Sequence, residues 1–219
     1  MSWGPSLCGV ILAAGESNRM GTDKALLAWP PLAPGQPTQA ASGQTFLSSA
    51  INVLSQFTDM VIVVAGKNEP TLAPVIYANG AFLVRNPDPS RGQFSSLQVG
   101  LQEVLSHGRD AAMVTLVDRP PAQTSTVKKL RDVFEDSATR AKWAVVPEYA
   151  GKHGHPIVLR REMIEKILRA PATAIAREIE HEHQEHIAYV PVDDPFVRLN
   201  VDTPQDYANL ASQSQTQIK

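Results

Sequence analysis

The chain has 219 residues, 43% of them hydrophobic, and a formal net charge of -2 at pH 7. This length and composition predict one globular domain with a sizeable core. Because Lys and Arg are scattered along the chain, a nucleic-acid or membrane partner is not expected. The single cysteine, Cys8, lies in an apolar run, which predicts core packing in a protein of a reducing compartment.

The apolar run LCGVILAA at residues 7–14 ends on small residues, as a secretion signal does. No Lys or Arg precedes the run, and it has about half of the ~20 residues needed to span a bilayer. We therefore expect a cytoplasmic protein.

Short, continuous apolar runs alternate with segments of helical periodicity up to residue 134. The apolar runs predict strands buried on both faces at residues 10–14, 60–66, 81–85 and 111–117. The helical spacing occurs at residues 45–57, 94–105 and 124–134. This alternation predicts an α/β fold, with a mostly parallel sheet and helices on both faces.

The chain is less regular after this point. Apolar residues 143–149 precede a predicted strand at 155–159, helices near 160–182 and a last helix from Thr203, which we expect to form a lobe on the sheet. Pro, Gly, Ser and Gln crowd residues 29–44 and predict a mobile surface insertion, while polar residues 212–219 predict a frayed tail. We therefore predict a single domain over residues 1–211.

The first predicted strand leads into the loop AAGESNRMGTDK, residues 13–24, which supplies two cations. In open parallel sheets, ligands bind beyond the carboxyl ends of the strands. Small residues let backbone amides approach an anion, and Arg19 and Lys24 can then reach a phosphate chain. A glycine turn with two unrelated surface cations is the alternative. The spacing excludes a Walker loop and a G-x-G-x-x-G dinucleotide fingerprint.

Five motifs, in order along nearly the whole chain, resemble those of the nucleotidyltransferases related to molybdenum cofactor cytidylyltransferases and guanylyltransferases. They are LAAGESNRMGTDK (12–24), RNPDPSRGQFSSLQVGL (85–101), VDRPPA (117–122), GHP (154–156) and NVDTPQDY (200–207). The resemblance implies a Rossmann-like, three-layer nucleotidyltransferase fold. It also implies Mg²⁺-dependent transfer of a nucleoside monophosphate from an NTP to a phosphorylated acceptor such as molybdopterin, with release of pyrophosphate. The LAAG form resembles the branch that uses CTP.

The same resemblance implies the site residues. The nucleotide would lie against the first two motifs, and the metal against two carboxylates, since Mg²⁺ prefers oxygen ligands. The implied nucleotide-binding residues are Leu12, Ala13, Ala14, Gly15, Arg19, Lys24, Asn86, Gly92, Ser95 and Ser96. The implied metal ligands are Asp118 and Asp202, and the implied catalytic residues are Arg19, Lys24 and Asp118.

Several of these residues have a second interpretation. Asp118 could instead initiate a turn. Asp206 fits a helix cap better than a metal ligand, because Thr203 and Pro204 before it are typical of a helix start. His155 either contacts the acceptor or stabilises its loop. For HEHQEH at residues 181–186, we favour a solvated helix end over a metal site.

Arg119 departs from the family pattern, which usually has Gln or Met between the Asp and Pro of the third motif. Its charge could bind a phosphate or weaken metal binding. Two other functions therefore stay open. One is the same transfer to a sugar or polyol phosphate, and the other is a non-catalytic nucleotide-binding maturation factor that partners a molybdenum enzyme.

Overall fold

The computed structural model describes residues 6–17, 19–32, 43–171 and 173–216. The strands are β1 (Leu7–Leu12), β2 (Met60–Ala65), β3 (Phe82–Arg85), β4 (Ala111–Leu116), β5 (Ala144–Tyr149), β6 (Lys152–His153), β7 (Ile157–Arg160) and β8 (Ile187–Pro191). The helices are α1 (Phe46–Ser55), α2 (Glu69–Ala78), α3 (Gln93–Ser106), α4 (Thr124–Glu135), α5 (Arg161–Arg169), α6 (Ala176–Glu182) and α7 (Pro204–Thr216).

All these strands form one mixed sheet in the order β3-β2-β1-β4-β7-β5-β6, with β8 paired to β5. β1 is parallel to both β2 and β4, and β5 is parallel to β8. β7 is antiparallel to its neighbours β4 and β5. The carboxyl ends of β1 and β4 therefore meet at one edge of the sheet, where the first and third motifs emerge.

β1, β2 and β4 are buried on both faces, as their continuous apolar runs predict. β3 does not fit that prediction, because it lies at the edge of the sheet and its side chains are exposed or half-buried. Along β1, Leu7 and Ile11 pack with α1, α2 and α4, whereas Cys8, Val10 and Leu12 pack with α3, α5 and α6. Successive side chains of a strand point to opposite faces, so each strand contributes to two cores. The predicted three-layer α/β architecture is confirmed.

A third apolar cluster joins α7 to the first loop. Tyr207 on α7 packs with Met20, Leu27 and Phe46, and its hydroxyl donates to the Ala28 carbonyl at 3.1 Å. The cluster brings the first loop and the residues that follow it beside the fifth motif. The loops that carry Lys24 and Asp202 are thereby held together by buried contacts.

The later part of the chain does not form a lobe, which corrects the sequence-based expectation. β7 pairs with β4, β5 pairs with β7, and β8 pairs with β5, so these strands continue the same sheet rather than cover it. Residues 33–42 of the predicted insertion lie outside the described residues, while the backbone N–H of Trp29 donates to the Gln44 carbonyl at 2.9 Å. The predicted tail at 212–219 is helical as far as Thr216.

Cys8 is buried in the core as predicted, and burial raises the pKa of its thiol to about 12. A thiol that stays protonated is a poor nucleophile and a poor metal ligand, so Cys8 has a packing role. Within the described ranges, no helix has the length and apolar character needed to cross a membrane.

Candidate active site

A cavity of about 260 Å³ opens at the carboxyl ends of β1 and β4. Its walls come from the first three motifs, in the positions where an α/β sheet binds ligands. The lining residues are Leu12, Ala14, Gly15, Ser17, Lys24, Pro89, Gly92, Gln93, Ser96, Val117 and Asp118. Several residues of the predicted nucleotide site thus surround one space, whereas Ala13 is buried in the core behind it.

Lys24 and Asp202 form an ion pair across the site, with 2.5 Å between Nζ and Oδ1. Arg19 Nη2 lies 3.2 Å from the same oxygen. Only 12% of the Lys24 side chain is exposed, against 28% for Asp202 and 71% for Arg19. Lys24 is therefore a partly desolvated cation within the cavity wall, while Arg19 reaches Asp202 from the solvent side.

Asp118 is the second residue of the third motif, two positions after the end of β4, and is half-buried. Its Oδ1 is enclosed and has no hydrogen-bond partner among the described residues. Burial raises the pKa of this carboxyl, the nearby charges of Lys24 and Arg119 oppose that rise, and the charge of Asp202 adds to it. An enclosed carboxylate oxygen without a donor is a position where a cation would be stabilising.

Hydrogen bonds to the main chain hold the segments that carry Asp118 and Asp202 next to each other. The N–H of Val201 donates to the Asp118 carbonyl at 2.8 Å, so the fifth motif is fixed beside the third. The Asp206 carboxylate accepts from the N–H groups of Asp202 at 3.0 Å and Thr203 at 2.8 Å. These bonds, together with the return bond from Asp206 N–H to Thr203 Oγ1 at 3.2 Å, form the capping box that the sequence predicts.

Asn68, just before α2, also shapes the first loop, and sequence reasoning missed it. Its Nδ2 donates to the Ala13 carbonyl at 2.9 Å and to Asp23 Oδ2 at 2.7 Å. The N–H of Gly66 donates to Asn68 Oδ1 at 3.0 Å, and a Cβ at Gly66 would lie only 2.8 Å from the Ala14 carbonyl oxygen. The only signal in the sequence is a glycine and an asparagine after an apolar strand, which also fits an ordinary turn.

Some residues of the second motif line the cavity, and others hold those lining residues in place. Asn86 is buried and donates to Ser95 Oγ and Ser96 Oγ, both at 2.9 Å. Ser96 lines the cavity with Gly92, whereas Asn86 and Ser95 line a separate pocket behind it. The amide of Asn86 is thus occupied in holding the first turn of α3, which carries the lining residue Ser96.

A larger cavity of about 1020 Å³ adjoins the first and shares Leu12, Gly92 and Gln93 with it. Its lining is rich in positive charge, from Arg91, Arg119, Lys152, Arg177 and Arg198. None of these five forms an ion pair within 4.0 Å in the described part of the chain. An excess of unpaired cations around a concave space favours a polyanionic ligand.

The GHP motif anchors one wall of the large cavity to the loop before the fifth motif. The His155 N–H donates to the Val197 carbonyl at 2.8 Å, and Arg119 Nη1 donates to the same oxygen at 2.6 Å. A Cβ at Gly154 would lie 2.2 Å from that oxygen, so only glycine allows this approach. The anchoring agrees with a loop-stabilising role for His155, although its side chain also lines the cavity.

Burial, with a smaller contribution from the Arg119 charge, lowers the pKa of His155 to about 3. The unfolded chain takes up a proton on this residue near pH 6.5, whereas the folded chain does not. We therefore expect the free energy of unfolding to decrease, and the protein to become less stable, as the pH drops from about 6.5 toward 3. The slope due to this residue should reach about 1 kcal/mol per pH unit and should vanish in His155→Asn. Denaturant unfolding across this range measures it. An imidazole NMR titration midpoint above pH 5 would contradict the expectation.

Of the three histidines in residues 181–186, His183 and His186 pack beside Trp143, and none of the three lines either cavity. The His186 ring stacks on Trp143 with centroids 3.7 Å apart, and the His183 ring lies 5.2 Å from it. In the described ranges, no group of three or more His, Cys, Asp or Glu side chains is arranged to hold a metal. This segment adds no residue to the site.

An α/β sheet whose strand ends carry a glycine loop, a partly buried lysine and two nearby carboxylates has the arrangement expected of a nucleotidyltransferase. The sequence profile of the MobA-like NTP transferase domain matches residues 9–187. The chain belongs to this family, which confirms the resemblance of its motifs.

Named relatives agree with this assignment. The chain is 27% identical over 208 residues to a probable molybdenum cofactor guanylyltransferase of Rhodopirellula baltica, covering 92% of this chain and 90% of that protein. It is 25% identical over 202 residues to the molybdenum cofactor cytidylyltransferase of Escherichia coli, covering 90% and 92%. The crystal structure of Rv0371c from Mycobacterium tuberculosis superposes with a TM-score of 0.74 at 27% identity, covering 94% of this chain and 98% of that chain. Rv0371c has also been solved with manganese, with a TM-score of 0.69 at 23% identity and coverage of 94% and 98%.

Proposed function

We propose that the protein transfers CMP from CTP to the phosphate of a molybdopterin-type acceptor, releases pyrophosphate, and requires Mg²⁺. The observation that carries the proposal is the Lys24–Asp202 pair beside Asp118, in a cavity that opens into a second, cation-lined cavity. The arrangement offers one space for a nucleotide and one for an anionic acceptor. The names of the relatives supply the acceptor class.

Asp118 and Asp202 fit a divalent ion. The enclosed Oδ1 of Asp118 has no donor, and Asp202 presents an oxygen now held by two cations. Mg²⁺ is commonly bound by one or two carboxylates plus substrate phosphates, so two ligands from the chain are enough. When bound, the ion would neutralise charge on the reacting phosphates.

Arg19 and Lys24, the cations of the first loop, both contact the Asp202 carboxylate and could contact a phosphate in its place. Lys24 Nζ is paired to Asp202, and a triphosphate in the cavity would compete for the same ammonium group. Movement of Lys24 to the phosphate would leave the Asp202 carboxylate able to hold a divalent ion. Arg19 would contact the same phosphates from the exposed side. The excess cations of the larger cavity would hold the attacking phosphate of the acceptor. Positioning and charge neutralisation are the main requirements of such a transfer.

The base preference rests on Ala14, which lines the nucleotide cavity where guanylyltransferases of the family more often have glycine. We expect tighter Mg²⁺-dependent binding of CTP than of GTP, since the alanine methyl takes space that a purine needs. Ala14→Gly should shift the CTP-to-GTP affinity ratio toward GTP by about tenfold, the scale of one methyl group in a pocket. Calorimetry with both nucleotides tests this, and tighter GTP binding by the unmodified protein would refute the CTP assignment.

Pyrophosphate release tests the reaction itself. The protein is incubated with CTP, Mg²⁺ and one of three acceptors: molybdopterin, a sugar phosphate or a polyol phosphate. Release with molybdopterin alone supports the proposal, whereas release with the sugar or polyol phosphate alone identifies the alternative transferase. Nucleotide binding without release for any acceptor would indicate a non-catalytic maturation factor.

A further inference from the structure

Glu180, on α6, is the one carboxylate among the described residues that line the large cavity. It is half-buried, and burial raises the pKa of its carboxyl against the opposing charge of Arg177. No hydrogen bond or ion pair to this carboxylate occurs within the described ranges. A half-buried carboxylate that lines a ligand space and has no donor from the described residues is free to accept hydrogen bonds from a ligand.

The surroundings of Glu180 suit a flat ring. Apolar side chains form part of the cavity wall, among them Val146 and Ile157 from the sheet. Ile175, which immediately precedes α6, is 57% exposed and also lines the cavity. A planar heterocycle can lie against such apolar groups while its edge meets a polar one.

The cations of this cavity suit the phosphate of the acceptor, but Glu180 repels phosphate and needs a different part of the ligand. A 2-amino-4-oxopyrimidine ring carries an amino group next to a ring N–H, so two donors point in the same direction. The two oxygens of a carboxylate match such a donor pair, as they match the fork of an arginine.

We propose that Glu180 determines acceptor specificity by accepting two hydrogen bonds from the amino and ring N–H groups of a 2-amino-4-oxopteridine. The inference rests on the proposed function, because it assigns the large cavity to a pterin acceptor. It makes Glu180 a binding residue for the ring, remote from the reacting phosphates. Arg177 lies one helical turn from Glu180, so the other cationic residues of the cavity would bind the phosphate while Glu180 binds the ring.

The test is a fluorescence binding titration without nucleotide. The probes are neopterin phosphate and its lumazine analogue, in which oxygen replaces the 2-amino group and removes one donor. We expect the wild-type protein to bind neopterin phosphate about tenfold more tightly than the lumazine analogue. Glu180→Gln, which replaces one acceptor oxygen by a donor, should lose this preference, and Glu180→Asp should lose part of it.

Glu178→Gln is the matched control, since Glu178 is an exposed residue on the same helix and does not line the cavity. It should keep the wild-type preference, and thermal melting confirms that each variant is folded. Equal affinity of the wild-type protein for the two probes, no binding of either probe, or an unchanged preference in Glu180→Gln would each overturn the inference. Pterin discrimination without pyrophosphate release would leave the inference standing and refute the proposed reaction alone.

Discussion

Asp118→Asn is expected to abolish nucleotidyl transfer and, at the same time, to stabilise the nucleotide-free fold. The enclosed carboxylate has no donor on Oδ1, and burial raises its pKa, so its charge opposes folding at neutral pH. Asparagine keeps the volume and removes the charge. We expect about 1 kcal/mol of added stability, or roughly 2–4 °C in the melting temperature for a chain of this size. Turnover should fall by about 1000-fold or more, because a metal ligand is lost.

Pyrophosphate release and thermal melting on the same sample measure both effects. Asp206→Asn is the contrasting variant, because Asp206 caps α7 and holds the Asp202 backbone. It should lose about 1 kcal/mol of stability and show a milder loss of turnover. Transfer near the wild-type rate in Asp118→Asn would exclude Asp118 as a metal ligand.

Lys24→Ala should lower turnover by about 100-fold or more, which corresponds to the ~2–4 kcal/mol lost with one preorganised charge contact. The ammonium is largely enclosed and sits between Asp202 and the cavity. Its removal also takes away a positive charge that favours ionised Asp118. Because the pair is partly buried, we expect stability to fall by about 1 kcal/mol as well. Lys24→Arg should restore only part of the activity, since a planar fork does not replace a compact ammonium.

Lys128→Ala provides the matched comparison. Lys128 also forms an ion pair, 2.6 Å from Asp132 Oδ2, but on an exposed helix surface. Its loss should change stability by less than about 0.5 kcal/mol and leave turnover intact. Steady-state kinetics and melting with and without CTP separate the two lysines. An unchanged CTP-induced shift in Lys24→Ala would show that Lys24 is no part of the phosphate site.

Apolar periodicity predicted most of the sheet and its flanking helices because those elements are buried on defined faces. The runs at residues 60–66 and 111–117 correspond to β2 and β4, and residues 94–105 lie in α3. The first strand was placed too late, at 10–14 rather than Leu7–Leu12, because Ala13 and Ala14 are apolar but belong to the loop.

Three of the named elements, α2, β6 and β8, escaped prediction, and physical reasons account for α2 and β8. α2 contains Pro74 and has a proline in its first turn, so its sequence lacks the usual helical signal. β8 is short, and it is specified by parallel pairing with β5 more than by its own residues. Nonlocal pairing of this kind leaves little trace in a local pattern.

The candidate site was predicted from motifs, but its contacts were not. Lys24 and Asp202 are 178 positions apart, and no spacing rule relates them. The support from Asn68, the inward turn of Asn86 toward Ser95 and Ser96, and the convergence on the Val197 carbonyl all depend on the tertiary fold. The roles of the predicted residues in binding and catalysis remain predictions, which the variants above test.

The Val197 carbonyl oxygen joins the wall of the large cavity to the segment that carries Asp118, a proposed metal ligand. The His155 N–H and the Arg119 guanidinium converge on it, and Arg119 directly follows Asp118 in the chain. Under the proposed function, these contacts to the main chain would help to set the spacing between the nucleotide and the acceptor. A fixed spacing of this kind would favour acceptors in which the distance between ring and phosphate matches it. The length of the acceptor would then itself contribute to specificity.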